Sequence, residues 1–195
     1  MGTVNTPSDI ASNGSQSFLI TLTPTAAFAP TDIELDFVCD NAPAAGSFSG
    51  LNTVLLVADD NPVPDVVALA STPMTPGIID VPGVGGTGFF AVASVNVGIT
   101  GDIAVTAELT NDDAAVTLSI CETDPLTALC INPTAPTTGA VVTNIAANAT
   151  PTFSIFAQAS EEIALDPAGT RVQVIFTDET GGTIRGATSV AIRTQ

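Results

Sequence analysis

A chain of 195 residues with 20 carboxylates against three arginines (Arg171, Arg185, Arg193), and with no lysine, histidine, tryptophan or tyrosine, carries a formal charge of −17 at pH 7. Three arginines cannot neutralise a run of phosphates, so nucleic acid is excluded as a partner, and an anionic membrane surface repels the chain. Without imidazole or ammonium groups there is no ordinary base for a Ser or Cys nucleophile, no His metal ligand and no Schiff base, so a non-enzymatic role is expected.

The composition is nevertheless that of a folding chain: 45% apolar, 12% charged, with a mean hydropathy of +0.46. Apolar content of this order supports a large core and argues against disorder. No apolar run approaches the ~18 residues of a membrane helix, so no membrane insertion is expected. Hydropathy that high without a span points to apolar surface buried between subunits. Residues 1–16 lack the basic and apolar regions of a signal peptide and are predicted to form a polar N-terminal arm.

Strand signals then follow one another in chain order: Phe18–Leu22, Asp32–Phe37, Thr53–Val57, Asp65–Leu69, Phe89–Val97, Ile103–Leu109 and Ala115–Ile120. Pro, Gly, Asn and Asp clusters separate them at the ~8–12 residue spacing of a sandwich, and no segment has helical periodicity. In Asp32–Phe37 the acids Asp32, Glu34 and Asp36 alternate with Ile33, Leu35 and Phe37, which assigns the charge to a solvated face and the apolar set to the core. Phe18, Phe37, Phe89, Phe90, Phe153 and Phe176 all lie in strand-like runs and are expected to be core.

Residues 131–140, rich in Thr and Pro, have linker composition and divide a larger sandwich domain, 17–130, from a smaller β unit, 141–195. The smaller unit offers strands at Thr152–Ala159, Thr170–Thr177 and Thr183–Thr194, with a turn at Asp178-Glu-Thr-Gly-Gly between the last two. Ser17-Phe-Leu-Ile can be laid on Thr152-Phe-Ser-Ile, so an internal duplication is one reading and the general likeness of sandwich strands is the other. Some 55 residues fall short of the ~7 strands of a complete sandwich, so the unit must pack on the larger one or borrow a strand from another copy. The expected fold is therefore all-β, an Ig-like antiparallel β-sandwich with a smaller related unit.

Three cysteines allow one disulfide. Cys121 and Cys130 bracket a turn-rich octapeptide, and a bridge there would stabilise by ~2–3 kcal/mol through loop closure. Cys39, on the apolar side of its predicted strand, reads as a small core residue. A Cys39–Cys121 bridge and three reduced thiols are the alternatives.

The strings LDFVCDN (35–41), SGLNTVLLVA (49–58), LSICETDPLTALC (118–130) and RGATSVAIRTQ (185–195) resemble recurring pieces of Ig-like modules in large secreted or surface-exposed bacterial multidomain proteins. The resemblance implies an extracellular address and no catalytic residue.

The strongest candidate for a ligand is calcium. Asp59, Asp60, Asn61 and Asp65 put three carboxylates and an amide in one loop, the hard oxygen donors that Ca²⁺ prefers, without EF-hand spacing. Asn111-Asp112-Asp113 and Asp178-Glu179 are weaker acidic turns. Glu161-Glu162, or Glu108 with Asp102, supply the carboxylate pair of a glycosidase, but the aromatic sugar platform is missing. Gly83-Val-Gly-Gly-Thr-Gly opens no helix and reads as a hairpin loop, not a phosphate cradle. Asn13 and Asn148 sit in glycosylation sequons. Arg171 and Arg185 are placed to face each other across the Asp178 turn, or to pair with acids of another subunit. Together these features predict an extracellular structural subunit that assembles with copies of itself into a fibre or surface array, by strand addition or head-to-tail packing. The alternative is an adhesive or ligand-binding module, calcium-stabilised, in a longer stalk. No cofactor other than calcium is expected.

Overall fold

The computed structural model describes residues 7–112 and 114–195, and its regular structure is β throughout. Phe28–Glu34 (β1) and Thr53–Ala58 (β2) form a two-stranded antiparallel hairpin. The remaining ten strands build a sandwich of two five-stranded sheets. The first sheet has the order β3 (Val66–Ser71), β5 (Thr87–Asn96), β10 (Thr152–Ala159), β7 (Val116–Thr123), β8 (Cys130–Thr137). The second runs β4 (Ile78–Val81), β12 (Ile184–Thr194), β11 (Arg171–Asp178), β6 (Gly101–Leu109), β9 (Val141–Ile145). Successive strands mostly change sheet, and only β7–β8 and β11–β12 are hairpins within the sandwich. All pairings are antiparallel except the edge pair β4–β12, which is parallel.

This topology corrects the expected domain division. The stretch 131–140 is no linker: most of it is β8, paired with β7. Its Pro133 and Pro136 are tolerated because β8 is an edge strand, where a missing N–H breaks no ladder. Nor do residues 141–195 form a smaller unit. Strand β10 is the centre of the first sheet, between β5 and β7, while β11 and β12 are inner strands of the second. One sandwich therefore spans 66–194, and its strand count is completed within the chain instead of by a borrowed strand.

Alternation explains the core. Phe90, Val92, Phe153, Ile155, Ile120, Val105, Val174 and Phe176 all point between the sheets and are fully buried, and Phe153 meets Phe176 edge-on at 5.6 Å between ring centroids. At one end of the sandwich the buried Asn96 takes the place of an apolar residue. Its Nδ2 donates to the carbonyls of Ile99 (2.7 Å) and Ile145 (3.0 Å), and its Oδ1 accepts from the N–H groups of Asp65 and Gly98 (both 3.0 Å). This side chain ties the β5–β6 turn to the start of β3 and the end of β9. Gly186 has a comparable packing role: any Cβ there would collide with the Val66 carbonyl, so its absence lets β12 lie close under β3.

The N-terminal quarter departs from expectation. Phe18–Leu22 forms no strand, and Phe18, Leu19, Ile20 and Leu22 are 42–83% exposed. Phe37 and Cys39 lie beyond the end of β1, both exposed, so neither is core. Asp32–Phe37 pairs only as far as Glu34, because β2 ends its register opposite it at Thr53.

Candidate assembly surface

The two sheets differ in charge. Strands of the second carry Asp80, Asp102, Glu108, Arg171, Asp178, Arg185 and Arg193, whereas the first has Glu122 alone. Positions that alternate with the core set turn Val67, Leu69, Phe89, Ala91, Ala93 and Phe156 to the outside of the first sheet. Leu69 is 71% exposed, Val67 57% and Phe89 51%. Phe89 lies against Phe156 across the β5–β10 pair, with ring centroids 6.4 Å apart. A chain at −17 thus keeps one sheet face uncharged, and apolar along β3 and β5, while the outward positions of β10 and β7 also carry Thr152, Ser154, Gln158, Thr117 and Ser119. Phe89 was expected in the core; adjacent Phe89 and Phe90 cannot both point inward on a strand, and it is Phe90 that does.

Phe89 also borders an open cavity of about 500 Å³ at the sandwich edge, lined by Met74, Ile78, Val81, Pro82 and Gly88 together with Asp80. Asp80 is neutralised there: Arg193 Nε donates to it at 2.7 Å and Thr75 Oγ1 at 2.6 Å. The Thr75 hydrogen bond, opposed by burial and assisted by Arg193, holds the Asp80 carboxyl below the usual carboxylate range.

The hairpin is fastened to the second sheet at two points. Ser189 Oγ donates to the Gly50 carbonyl at 2.5 Å. Arg185, 6% exposed, pairs with Asp178 at 3.2 Å and with Asp59 of the hairpin at 3.6 Å, while its Nε and Nη1 find no hydrogen-bond acceptor. Burial acts to raise the Asp178 carboxyl, but the Thr180 N–H and Arg185 outweigh it and the net shift is downward. Arg171 sits at the other end of β11, donating to Ser189 and to the Pro167 carbonyl, so it does not face Arg185 across the turn. Its burial lowers the guanidinium pKa.

These contacts bear directly on the predicted calcium loop. Among the described residues no three Asp, Glu or Cys side chains converge as metal ligands. Asp59 is turned to Arg185 and to the Asn61 N–H (3.2 Å), Asp60 and Asn61 are exposed, and Asp65 opens β3, held through its N–H by Asn96. A guanidinium beside Asp59 repels a cation, so the four residues do not form one site. Asp113 lies outside the described residues. The predicted Cys121–Cys130 disulfide is present, bridging β7 to β8, and Cys39 is free. Between the bridged cysteines Asp124 accepts from the N–H groups of Thr127 and Leu126 (both 2.9 Å), which lowers its carboxyl pKa and shapes the loop. The Gly83–Gly86 loop links β4 to β5 and so joins the two sheets instead of forming a hairpin; its Gly85 N–H donates to Ala159. No helix among the described residues is long and apolar enough to cross a membrane.

No protein-family model and no curated protein matches the chain. Among solved structures it is similar to a family 123 glycoside hydrolase from Clostridium perfringens (9% identity, TM-score 0.41, 67% of this chain and 27% of that one). It is also similar to AvmM, which catalyses macrocyclisation in alchivemycin A biosynthesis (16%, 0.37, 67% and 96%), and to a PapD-like domain of human CEP192 (12%, 0.34, 72% and 92%). The chain spans about a quarter of the glycoside hydrolase. Likeness at this level carries no activity across; the all-β, Ig-like sandwich rests on the strand order itself.

Proposed function

We propose that this protein is a non-enzymatic, extracellular structural subunit that packs against copies of itself into a fibre or surface array. The observation that carries the reading is the uncharged, apolar patch that β3 and β5 present on the outer face of the first sheet, centred on Leu69, Val67 and Phe89. Contiguous exposed apolar surface on a sheet is costly unless something covers it, and it marks interaction sites more often than accident. Copies bearing −17 repel each other everywhere except across such a face. The disulfide between β7 and β8 supports the extracellular part, since such bonds persist in oxidising compartments.

Light scattering across a concentration series, with negative-stain microscopy of the same samples, tests this. Regular oligomers or filaments are expected, and they should form more readily as salt screens the negative charge. A single 19.5 kDa species at every concentration and salt would overturn the proposal.

A further inference from the structure

We infer that the disulfide-bounded β7–β8 loop of one copy, led by Leu126 and Leu129, inserts into the apolar cavity beside Phe89 of the next copy, so that chains join head to tail. The inference rests on the assembly reading above and names the two surfaces that meet.

The inserting element is apolar and held rigid. Leu126, at 93%, is the most exposed large apolar side chain among the described residues, and Leu129 in the same loop is 67% exposed. The Cys121–Cys130 bridge closes the loop at its base. Inside it the Asp124 N–H donates to the Leu129 carbonyl at 2.9 Å and the Ala128 N–H to the Asp124 carbonyl at 2.8 Å. Ala128 is held at φ 57°, a left-handed conformation that an alanine keeps only where its surroundings fix it. A loop already ordered loses little freedom on docking. Its one acidic side chain, Asp124, is turned to the N–H groups of Leu126 and Thr127, so the stretch from Pro125 to Ile131 carries no charge.

The receiving cavity, of about 500 Å³, is formed in advance. On its rim Thr72 Oγ1 donates to the Thr75 carbonyl (2.7 Å) and accepts from the Gly77 N–H (2.9 Å), while the Ile78 N–H closes on the same carbonyl (3.0 Å). Met74, 80% exposed, belongs to that turn. Asp80, the only acidic side chain in the lining, is already matched by Arg193 and Thr75. An uncharged apolar loop fits such a cavity and an acidic one does not. A smaller cavity beside the hairpin, about 340 Å³, opens on Asp59, whose side chain stays 34% exposed, and suits an apolar loop less well.

The register of the first sheet makes a second copy the source. Strands β5 and β7 run the same way on either side of β10, with Thr123 level with Ala93 through Thr152. The loop therefore leaves the sheet where β5 ends, and the cavity lies where β5 begins, at Thr87, Gly88 and Phe89. Six residues of strand, ~20 Å, separate Thr87 from Ala93, and a loop so tied down cannot turn back across them. Two unlike surfaces at opposite ends of one molecule make a contact that repeats without closing, the geometry of a filament. Phe89 lines the cavity and also belongs to the apolar patch of β3 and β5, so one neighbour can cover both.

Mixing two blocked variants tests the pairing, read by light scattering on a sizing column. Leu126→Asp spoils the loop and leaves the cavity; Met74→Asp puts a charge on the cavity rim and leaves the loop. Both residues are exposed, so far-UV circular dichroism should match the parent. Each variant alone should stay a single chain, while an equimolar mixture should give a two-chain species and nothing longer, because one intact loop and one intact cavity remain per pair. Leu19→Asp, 83% exposed and away from both surfaces, should assemble like the parent. Parent-like assembly of Leu126→Asp would overturn the loop as the inserting element, and loss of assembly in Leu19→Asp would show a general effect of charge; either leaves the structural-subunit reading standing. Two blocked variants that give no two-chain species when mixed would overturn the cavity as the receiver. A parent that stays a single chain at every concentration and salt would overturn this inference and the structural-subunit reading together.

Discussion

Replacing Asn96 by alanine removes a side chain that is 0% exposed and serves two carbonyls and two N–H groups at once. Each buried polar group left unpaired costs ~1–3 kcal/mol, but the four are not equally buried. The Ile145 carbonyl lies inside, whereas Asp65 and Ile99 are exposed enough for water to replace part of what is lost. Weighing one group fully and three in part gives a destabilisation of about 3–5 kcal/mol, a large share of the ~5–15 kcal/mol by which such domains are stable. Urea unfolding followed by far-UV circular dichroism is the suitable assay, since the chain has no Trp or Tyr to report by fluorescence. The control is Asn144→Ala, which removes one exposed hydrogen bond to Asp102 and should change stability by less than ~0.5 kcal/mol. Asn96→Asp should be at least as damaging as alanine, because it discards both donors and puts a charge in the same place. If Asn96→Ala unfolds within ~1 kcal/mol of the parent at an unchanged denaturant slope, Asn96 does not hold the turn as argued.

Reduction of the Cys121–Cys130 bridge, or Cys121→Ser with Cys130→Ser, should lower stability by ~2–3 kcal/mol, read as a shift of the urea midpoint. The carboxyls of Asp80 and Asp178 are depressed in the folded state, so their contribution is present above the unfolded carboxylate pKa of about 3.9 and is lost as pH falls through the lower folded values. Melting curves should therefore be flat near neutrality and drop below pH ~4, and the acid drop should be smaller in Asp80→Asn. Arg185→Ala should free the hairpin, giving faster limited proteolysis within residues 28–58 while the sandwich core stays protected; cleavage unchanged from the parent would show that Ser189 and Gly50 suffice. Millimolar Ca²⁺ or a chelator should leave the melting temperature where it is, because Asp59 is engaged by Arg185; a clear rise with Ca²⁺ would show a site that the carboxylate geometry does not.

The long strands were legible in the sequence because their alternation is strong: β5, β6, β7, β10, β11 and β12 all fall where the pattern places them, as does the turn after Asp178. Strands β4 and β9 were not, since four or five residues give alternation too little length to register against the surrounding Pro and Gly. Strand β8 was misread as a linker because its prolines mimic one, and sequence alone does not show that a strand will be at an edge. The division into two units failed for a related reason: composition changes near residue 131, but pairing partners are set by three-dimensional packing, which sent β10 back between β5 and β7. Cys39 and Phe37 were assigned to a core that the hairpin does not possess. For the assembly surface one signal was available. Within Gly88–Val97 only Ser94 and Asn96 are polar, and a strand with one solvated face would alternate; an apolar run as nearly continuous as this implies that both faces expect cover.

The strand order also governs how the protein can be made. Strand β10 joins β5 to β7, and β11 joins β6 to β12, so the innermost ladders of both sheets are supplied by residues translated late. A nascent chain released only as far as residue 150 can pair β3 with β5, β7 with β8 and β6 with β9, but the first sheet is not joined across its centre until β10 has left the ribosome, nor the second until β12 has. Ladders between residues so far apart in sequence form slowly, after synthesis instead of during it. The interval before closure leaves both sheets without their central strands, and a polypeptide short of its folded state is the form that can be threaded through a narrow translocation pore.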